Sequence, residues 1–401
     1  MLRRDSVYPL LAAAMFLTAG VFGARPLISY RALALGAAPL EIGLIASSFA
    51  ILGLLGAVPV GRLTDRFGGR LLTIAGCTIS GAVLLGIGFA NSLVWLAIAQ
   101  AGLGLGQLMM AIGSHTLVTS RSMGRRRDRD IGLYAAAASI GVGLGPIAFG
   151  FIAGEDVAGP RGQLVFVVAG GLAFLAAVSA AVMPRDVRSR REDDLASAPM
   201  TFRATLRLPW MRPAILASIV VLSAWDILVA YLPVYGEERG ILPQAIGLAV
   251  GTLALSGLAS RLILSRLIGR FGYIAVLASS MAIPALAIPL LLLRPAELGL
   301  FAVMALAGFG LGLGQPVSIV LVALAAPRRS LGYAMSLRLV GNRLGQLTVP
   351  ALVGATAGQA GVGAIFATVA AMLALGAVGV ATDRRVPRDR AEESGDQGQA
   401  G

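Results

Sequence analysis

The chain has 401 residues, of which 57% are apolar and only 13% charged, about half the charge of an ordinary soluble domain. That balance excludes a soluble enzyme with a charged surface and leaves room for about a dozen membrane spans of ~20 residues each. The net charge is +13, carried by 33 basic residues that are all Arg, and it marks no nucleic-acid binder until the Arg positions are known.

Charge-free runs mark the spans in chain order. Ser6 to Ala24 is the first and Ile42 to Gly61 the second. Leu71 to Ser120 is fifty residues without a charge, too long for one helix, and Asn91-Ser92 is its natural turn. Pro213–Tyr235 holds a single charge, Asp226, and Gly358–Gly363 divides the last long run. The result is twelve helices, at 7–30, 40–61, 71–90, 93–118, 131–153, 164–183, 213–235, 243–264, 273–293, 298–325, 331–356 and 361–381. They group as a six-helix bundle over 1–183 and a second over 213–381. The cytoplasmic linker 184–212 is too short for a domain, and the tail 382–401 reads as disordered.

With the N-terminus inside, 26 Arg fall in cytoplasmic segments and four (Arg31, Arg161, Arg239, Arg294) in external loops. This positive-inside bias puts both termini in the cytoplasm; the expected location is multi-pass in a bacterial inner membrane. Most of the basic charge is then a topology signal beside anionic lipid. Three Arg remain inside spans: Arg25, Arg338 and Arg343. Arg3-Arg4 before the first apolar run also fit a cleaved signal peptide, but the repeat described next needs this helix as partner of the seventh.

The halves match each other. Residues 36–68 align without a gap on 240–272 at an offset of 204, with 13 identities in 33 positions, ending in Arg-Leu-x-x-Arg-Phe-Gly. Gly-Leu-Gly-Leu-Gly-Gln at 102–107 recurs at 310–315, and Gly132, Gly141, Leu144 and Gly145 recur as Gly332, Gly341, Leu344 and Gly345. A parallel six-span repeat gives two bundles about an axis along the membrane normal, with a seam between them that suits alternating access.

The turn between spans 2 and 3 reads Gly61-Arg-Leu-Thr-Asp65-Arg66-Phe-Gly68-Gly69-Arg70. Its glycines permit a tight turn, Asp65 can cap a helix N-terminus, and its Arg residues can pair with carboxylates or phosphates. It resembles the signature loop of the major facilitator superfamily, and the resemblance extends over about 7–381. It implies an all-α integral membrane fold of twelve transmembrane helices, with spans 1, 4, 7 and 10 around a central cavity. It also implies that Asp65 docks on the start of span 11 and latches the cytoplasmic side shut. The second-half copy has Gly269 where the Asp would be, so its latch is weaker or absent.

Span 5 carries Gly132-x8-Gly141-x3-Gly145-Pro146-x2-Phe149-Gly150. This resembles the motif of the superfamily's drug/proton antiporters, with Phe149 in place of the first Gly of the closing pair. Small residues four apart allow close helix contact, and Pro146 frees a carbonyl and kinks the helix; ordinary glycine packing is the plainer reading. Antiporters of this type often carry an Arg in span 4. Here 93–120 is uncharged, with Ala97 and Gln100 near that place, which puts the usual proton route in doubt.

Ionisable residues inside a membrane are functional candidates. Asp226 in span 7 and Arg25 in span 1 both sit in the outer half. They fit an outer gate pair, a proton-carrying Asp226 with Arg25 holding an anionic substrate, or a static ion pair. Arg338, Asn342 and Gln346 form one stripe of span 11, with Arg343 turned toward Gln346. Gln107 and Gln315 end the Gly runs of spans 4 and 10 and serve as substrate contacts or interhelical hydrogen bonds. His115 is a relay or a packing residue, the second being favoured. Cys77 reads as a small apolar packer, and with one Cys and one His no disulfide, metal cluster or catalytic pair is expected.

The expected activity is secondary transport by alternating access: proton-coupled efflux of small apolar or amphipathic compounds by a monomer without cofactor or nucleic acid, and without enzymatic chemistry. The alternatives are uptake of a metabolite by proton symport and, in a different class, a non-transporting membrane sensor or scaffold.

Overall fold

A computed structural model describes residues 7–121, 124–183, 202–327 and 330–383. The expected linker segment 184–201, the tail from 384, and Arg3, Arg4, Arg328 and Arg329 lie outside the described residues. The first bundle is α1 (Tyr8–Ala34), α2 (Pro39–Phe67), α3 (Gly69–Gly88), α4 (Leu93–Arg121), α5 (Gly124–Ala153) and α6 (Pro160–Ala181). A short α7 (Phe202–Arg207) precedes the second: α8 (Met211–Arg239), α9 (Pro243–Leu262), α10 (Leu264–Ala287), α11 (Glu297–Ala325), α12 (Leu331–Ala360) and α13 (Val362–Ala381). Spans 1–6 are α1–α6 and spans 7–12 are α8–α13.

Eleven of these helices are long and apolar enough to cross a membrane. The exceptions are the six-residue α7 and α12, which is 30 residues long but whose polar stripe lowers its hydropathy. Arg338, Asn342 and Gln346 of that stripe are buried in protein, as polar groups at membrane depth must be. The helices outrun the charge-free runs at several ends. Arg31 is the fourth residue from the end of α1 and Arg239 closes α8, so these external-loop residues are helical. Span 9 is corrected at its outer end, where the α-helix stops at Ala287 and a 3-10 turn, Ile288–Leu293, follows Pro284 and contains Pro289.

The expected turn Gly61–Arg70 is also helical almost throughout. α2 runs to Phe67, and the whole turn is Gly68, with φ 88° and ψ 157°. Asp65 therefore lies near the C-terminus of α2, and α3 has no side-chain cap. In the second half Gly272 makes the same break, with φ 78° and ψ 165°. Every glycine with positive φ among the described residues has such a mate: Gly36 with Gly240, Gly68 with Gly272, Gly154 with Gly361. These follow spans 1 and 7, 2 and 8, 5 and 11, so the backbone itself repeats.

Packing repeats as well. Gly104 of α4 leaves room for the Phe49 carbonyl of α2, and Gly312 of α11 for the Gly257 carbonyl of α9. Gly106 meets Ser80 Oγ and Gly314 meets Ser280 Oγ. Small residues let these backbones touch where lipid offers no hydrophobic drive between helices. Two six-helix bundles result, meeting along a seam of α1, α2 and α5 against α8, α9 and α12.

Candidate functional site

The seam is built twice from one contact. Gly43 of α2 lies against the Pro350 carbonyl of α12, and Gly247 of α9 against the Pro146 carbonyl of α5. One turn on, Gly354 faces the Pro39 carbonyl and Gly150 the Pro243 carbonyl. Both sets are related by an offset of 204, one helical turn away from the offset of 200 at which the identities of spans 5 and 11 align. Proline removes the amide of its own residue, and here the carbonyls of Pro146 and Pro350 face glycines of the opposite half. Two other glycines of the span 5 motif pack within the half, Gly141 on Met15 and Thr18 and Gly145 on Ala19, all of α1, while Gly132 has open space.

Tyr231 of α8 reaches across the outer seam. Its hydroxyl lies 2.8 Å from the Pro39 carbonyl and 3.2 Å from the Pro350 carbonyl, at the Gly43–Gly354 contact. Sequence reasoning passed over it because spans were found by counting charges, and a phenol does not interrupt a charge-free run. Its only signal was a hydroxyl in the middle of a long apolar helix.

Arg25 and Asp226 are brought together. Arg25 Nη1 donates to Asp226 Oδ1 at 2.7 Å, with both side chains about 95% buried. The Arg25 guanidinium also stands over Phe49, 4.9 Å from the ring centroid, and over Phe22 at 5.7 Å, in cation–π range. The other carboxylate oxygen, Oδ2, accepts from Gln346 Nε2 at 2.6 Å. Gln346 Oε1 in turn accepts from Arg343 Nη1 at 3.0 Å. The chain Arg25–Asp226–Gln346–Arg343 thus ties α1 to α8 and α12, and the Arg343 guanidinium ends beside Gly53 of α2.

A second polar cluster stays inside the second half. Arg338 Nε donates to Ser318 Oγ at 2.9 Å, and its Nη2 to the carbonyl and the amide oxygen of Gln315. Gln315 Nε2 donates to the Ser218 carbonyl at 2.8 Å, and Ser218 Oγ to Asn342 Oδ1 at 2.7 Å. Arg338 is inside the bundle, so it does not reach the membrane surface. Ser218 and Ser318 were not singled out from sequence; only their place within a turn or two of a span's polar residues hinted at them.

Gln107 differs from its repeat mate Gln315. Its Oε1 is buried without a hydrogen-bond partner. Gln100, near the place of the antiporter Arg, is also buried with its Oε1 unpartnered, and it lines a small cleft with Arg25, Ser29, Ile42 and Val229. His115 is exposed, its ring tilted 60° to that of Tyr134 at 5.5 Å between centroids, while Cys77 is fully buried. At the cytoplasmic end Gly61 has open space, Asp65 and Arg66 are exposed, and Arg66 lies over Phe67. Arg70 donates to the Ala181 carbonyl at the end of α6, where the helix dipole favours a cation.

The two ends of the seam differ. Six successive residues of α2, Ile45 to Ala50, are buried, and at 100° per residue that covers the helix all round. Nearer the cytoplasmic end Ala57, Val58 and Pro59 are exposed in succession, a wider arc than the lipid side alone. One cross-seam bond in this half runs from Arg261 Nη1 to Ser139 Oγ at 3.3 Å. The outer end is shut and the cytoplasmic half of the cleft stands open.

Comparison with known proteins agrees with this architecture. The chain matches the Major Facilitator Superfamily over residues 10–296 and again over 240–400. It is 23% identical over 239 residues to the uncharacterized MFS-type transporter MJ1560 of Methanocaldococcus jannaschii, covering 58% of this chain and 60% of that one. It is 28% identical over 153 residues to Multidrug resistance protein 2 of Bacillus subtilis, covering 38% of this chain and 36% of the relative. The matched stretches thus span about three fifths or less of these relatives' length. Among solved structures, a mutant of the nucleoside transporter NupG superposes with a TM-score of 0.78 at 13% identity, over 94% of this chain and 99% of that one. A bacterial homolog of the human lysosomal transporter Spinster, inward-facing and unoccupied, gives 0.68 at 16% identity over 95% of each chain. These likenesses share the fold, and the chain is a multi-pass membrane protein that belongs to the major facilitator superfamily of transporters.

Proposed function

We propose that this protein is a secondary active transporter that exports small amphipathic compounds from a bacterial cytoplasm in exchange for protons, working as a monomer in the inner membrane. The observation that carries the reading is the buried Arg25–Asp226 pair, which joins the two halves at the closed outer end. A static pair would be a costly way to hold a membrane bundle, because desolvating both charges offsets most of their attraction. A gate needs that balance, since a contact that nearly breaks even can open. Substrate bound from the cytoplasm weakens the pair, and the outer seam parts at the Gly–Pro contacts. Asp226 then takes up a proton from outside, the seam closes on the neutral carboxyl, and release of that proton to the cytoplasm restores the pair. Gln346 keeps the carboxylate oriented and links the gate to α12. The antiporter-like motif of α5 supports export, because Gly150 and Pro146 lie on the seam that must slide. The partial likeness to a multidrug resistance protein points the same way. Asp65 and its neighbours are assigned the latch of the opposite, cytoplasm-closed state.

The test uses purified protein in vesicles, an imposed pH gradient and a panel of candidate compounds. Flux is expected to follow the gradient outward and to lose that dependence in Asp226→Asn. Flux that ignores the gradient and survives Asp226→Asn would remove Asp226 as proton carrier, and gradient-driven accumulation on the cytoplasmic side would reverse the assigned direction.

A further inference from the structure

We infer that the open cleft carries a binding site for an anionic group, a carboxylate or phosphate, organised by Arg343 with Arg338 behind it; this rests on the cleft being the transport path. The reasoning starts from charge. Within the membrane-depth stretch of the seam helices the polar centre holds three guanidinium groups, those of Arg25, Arg338 and Arg343, and one carboxylate, that of Asp226. Both oxygens of that carboxylate are occupied, one by Arg25 and the other by the amide of Gln346. Arg338 is held by a hydroxyl, a carbonyl and an amide oxygen, and Arg343 by a single amide oxygen. All of these acceptors are neutral. Two positive charges therefore stand at membrane depth without a carboxylate in ion-pair contact among the described residues. Such a charge is expensive there unless something compensates it.

Geometry selects Arg343 as the contact. Its Nη1 is used by Gln346, while Nε and Nη2 have no protein acceptor among the described residues. These two nitrogens form the side edge of the guanidinium, the edge that takes a carboxylate or phosphate in bidentate fashion. The group lies between the halves, and the place it faces on α2 is Gly53, where a Cβ would stand 3.4 Å from the Arg343 Cζ. The atoms nearest that Cβ are Cζ, Nε and Nη1, so Gly53 lies over the flat face of the guanidinium and leaves the Nε–Nη2 edge uncovered. Arg338 is five residues away on the same helix, about 7.5 Å along the axis. Its Nε–Nη2 edge is taken by Ser318 and Gln315 of its own half, so it adds field rather than a bidentate contact. An amphipathic compound with an acidic head fits this arrangement, its apolar body lying against the Gly- and Leu-rich walls.

The probes are succinate and inorganic phosphate, set against the neutral isostere succinamide and the lipophilic cation tetraphenylphosphonium, at constant ionic strength in chloride. Melting of the detergent-purified protein is read by a thiol-reactive fluorogenic dye, since unfolding exposes the buried Cys77. Succinate or phosphate is expected to raise the melting temperature of the wild type by several degrees. The shift should vanish in Arg343→Gln and survive in reduced form in Arg343→Lys, while Arg338→Gln weakens it. The empty Arg343→Gln protein is expected to melt no lower than wild type, because the substitution removes an uncompensated charge. The inference is overturned if neither anion shifts the wild type, if the shift survives Arg343→Gln, if the cation gives the larger shift, or if empty Arg343→Gln melts lower. None of these readouts depends on gate motion, so the anion site can fail while alternating access stands, and the reverse.

Discussion

A methyl group added at Gly43 is expected to force the outer seam apart. In the closed seam the new Cβ would lie 2.5 Å from the Tyr231 hydroxyl and closer still to the Pro350 carbonyl, where ordinary contact needs about 3.5 Å. The seam must therefore part by about 1 Å, and two of the groups in the way are backbone or held by backbone. Overpacking of this kind costs about 1–3 kcal/mol. Because the cost falls on the outer-closed state alone, it shifts the ratio of the two conformations roughly 5- to 150-fold toward the outer-open one. Spin labels report this directly. On a Cys77→Ser background, Phe89→Cys with Leu293→Cys marks the outer ends of the two halves, and Leu63→Cys with Leu262→Cys the cytoplasmic ends; all four positions are exposed. In Gly43→Ala the outer distance distribution should gain a longer component and the cytoplasmic one a shorter component. Gly171→Ala, where nothing lies within 4 Å, should change neither. Unchanged distributions in Gly43→Ala, with the protein folded, would refute the claim that the Gly–Pro contacts define the closed state.

Three further outcomes follow from the packing. Tyr231→Phe removes the hydroxyl that reaches both Pro39 and Pro350; it should favour the outer-open state by about 1 kcal/mol, seen as a smaller shift in the same outer distances. Gly104→Ala meets the Phe49 carbonyl inside the first bundle, so it should lower stability by about 1–3 kcal/mol without moving the conformational balance, as read by dye-monitored melting. Gln315→Ala should destabilise by about 1–3 kcal/mol because it leaves the buried Arg338 short of an acceptor. Its repeat mate should behave differently: Gln107→Ala deletes an oxygen with no partner and should melt like the wild type.

Much of the fold was legible because a membrane imposes simple rules. Charges cannot lie in lipid, so charge-free runs located the helices, and the repeat of Gly36–Gly68 on Gly240–Gly272 located the halves. The site was legible only in its ionisable members. Arg25 and Asp226 could be placed at one depth from helical rise, but whether they meet depends on helix rotation, which span-finding leaves open. Tyr231, Ser218 and Ser318 escaped because a hydroxyl costs a span little and leaves no trace in a charge count. The loop around Asp65 was misjudged for a related reason. Arg and Asp stop a membrane span but not a helix, so α2 continues past the bilayer to Phe67. Gln107 and Gln315 show the limit of the repeat itself: identical in sequence context, they differ because only the second half has an Arg at 338 to engage.

The most direct test of the account is the rate at which a membrane-impermeant maleimide, applied from outside, labels Ser29→Cys on the Cys77→Ser background. Ser29 is buried one turn outward of Arg25 and lines the small cleft beside the pair, so parting of the outer seam is what exposes it. With the Arg25–Asp226 pair intact, labelling should be slow, and Asp226→Asn should speed it by about tenfold or more, the effect of ~1.4 kcal/mol or more on the closed state. Equal rates with and without the Asp226 carboxylate would contradict the claim that this pair is the outer gate.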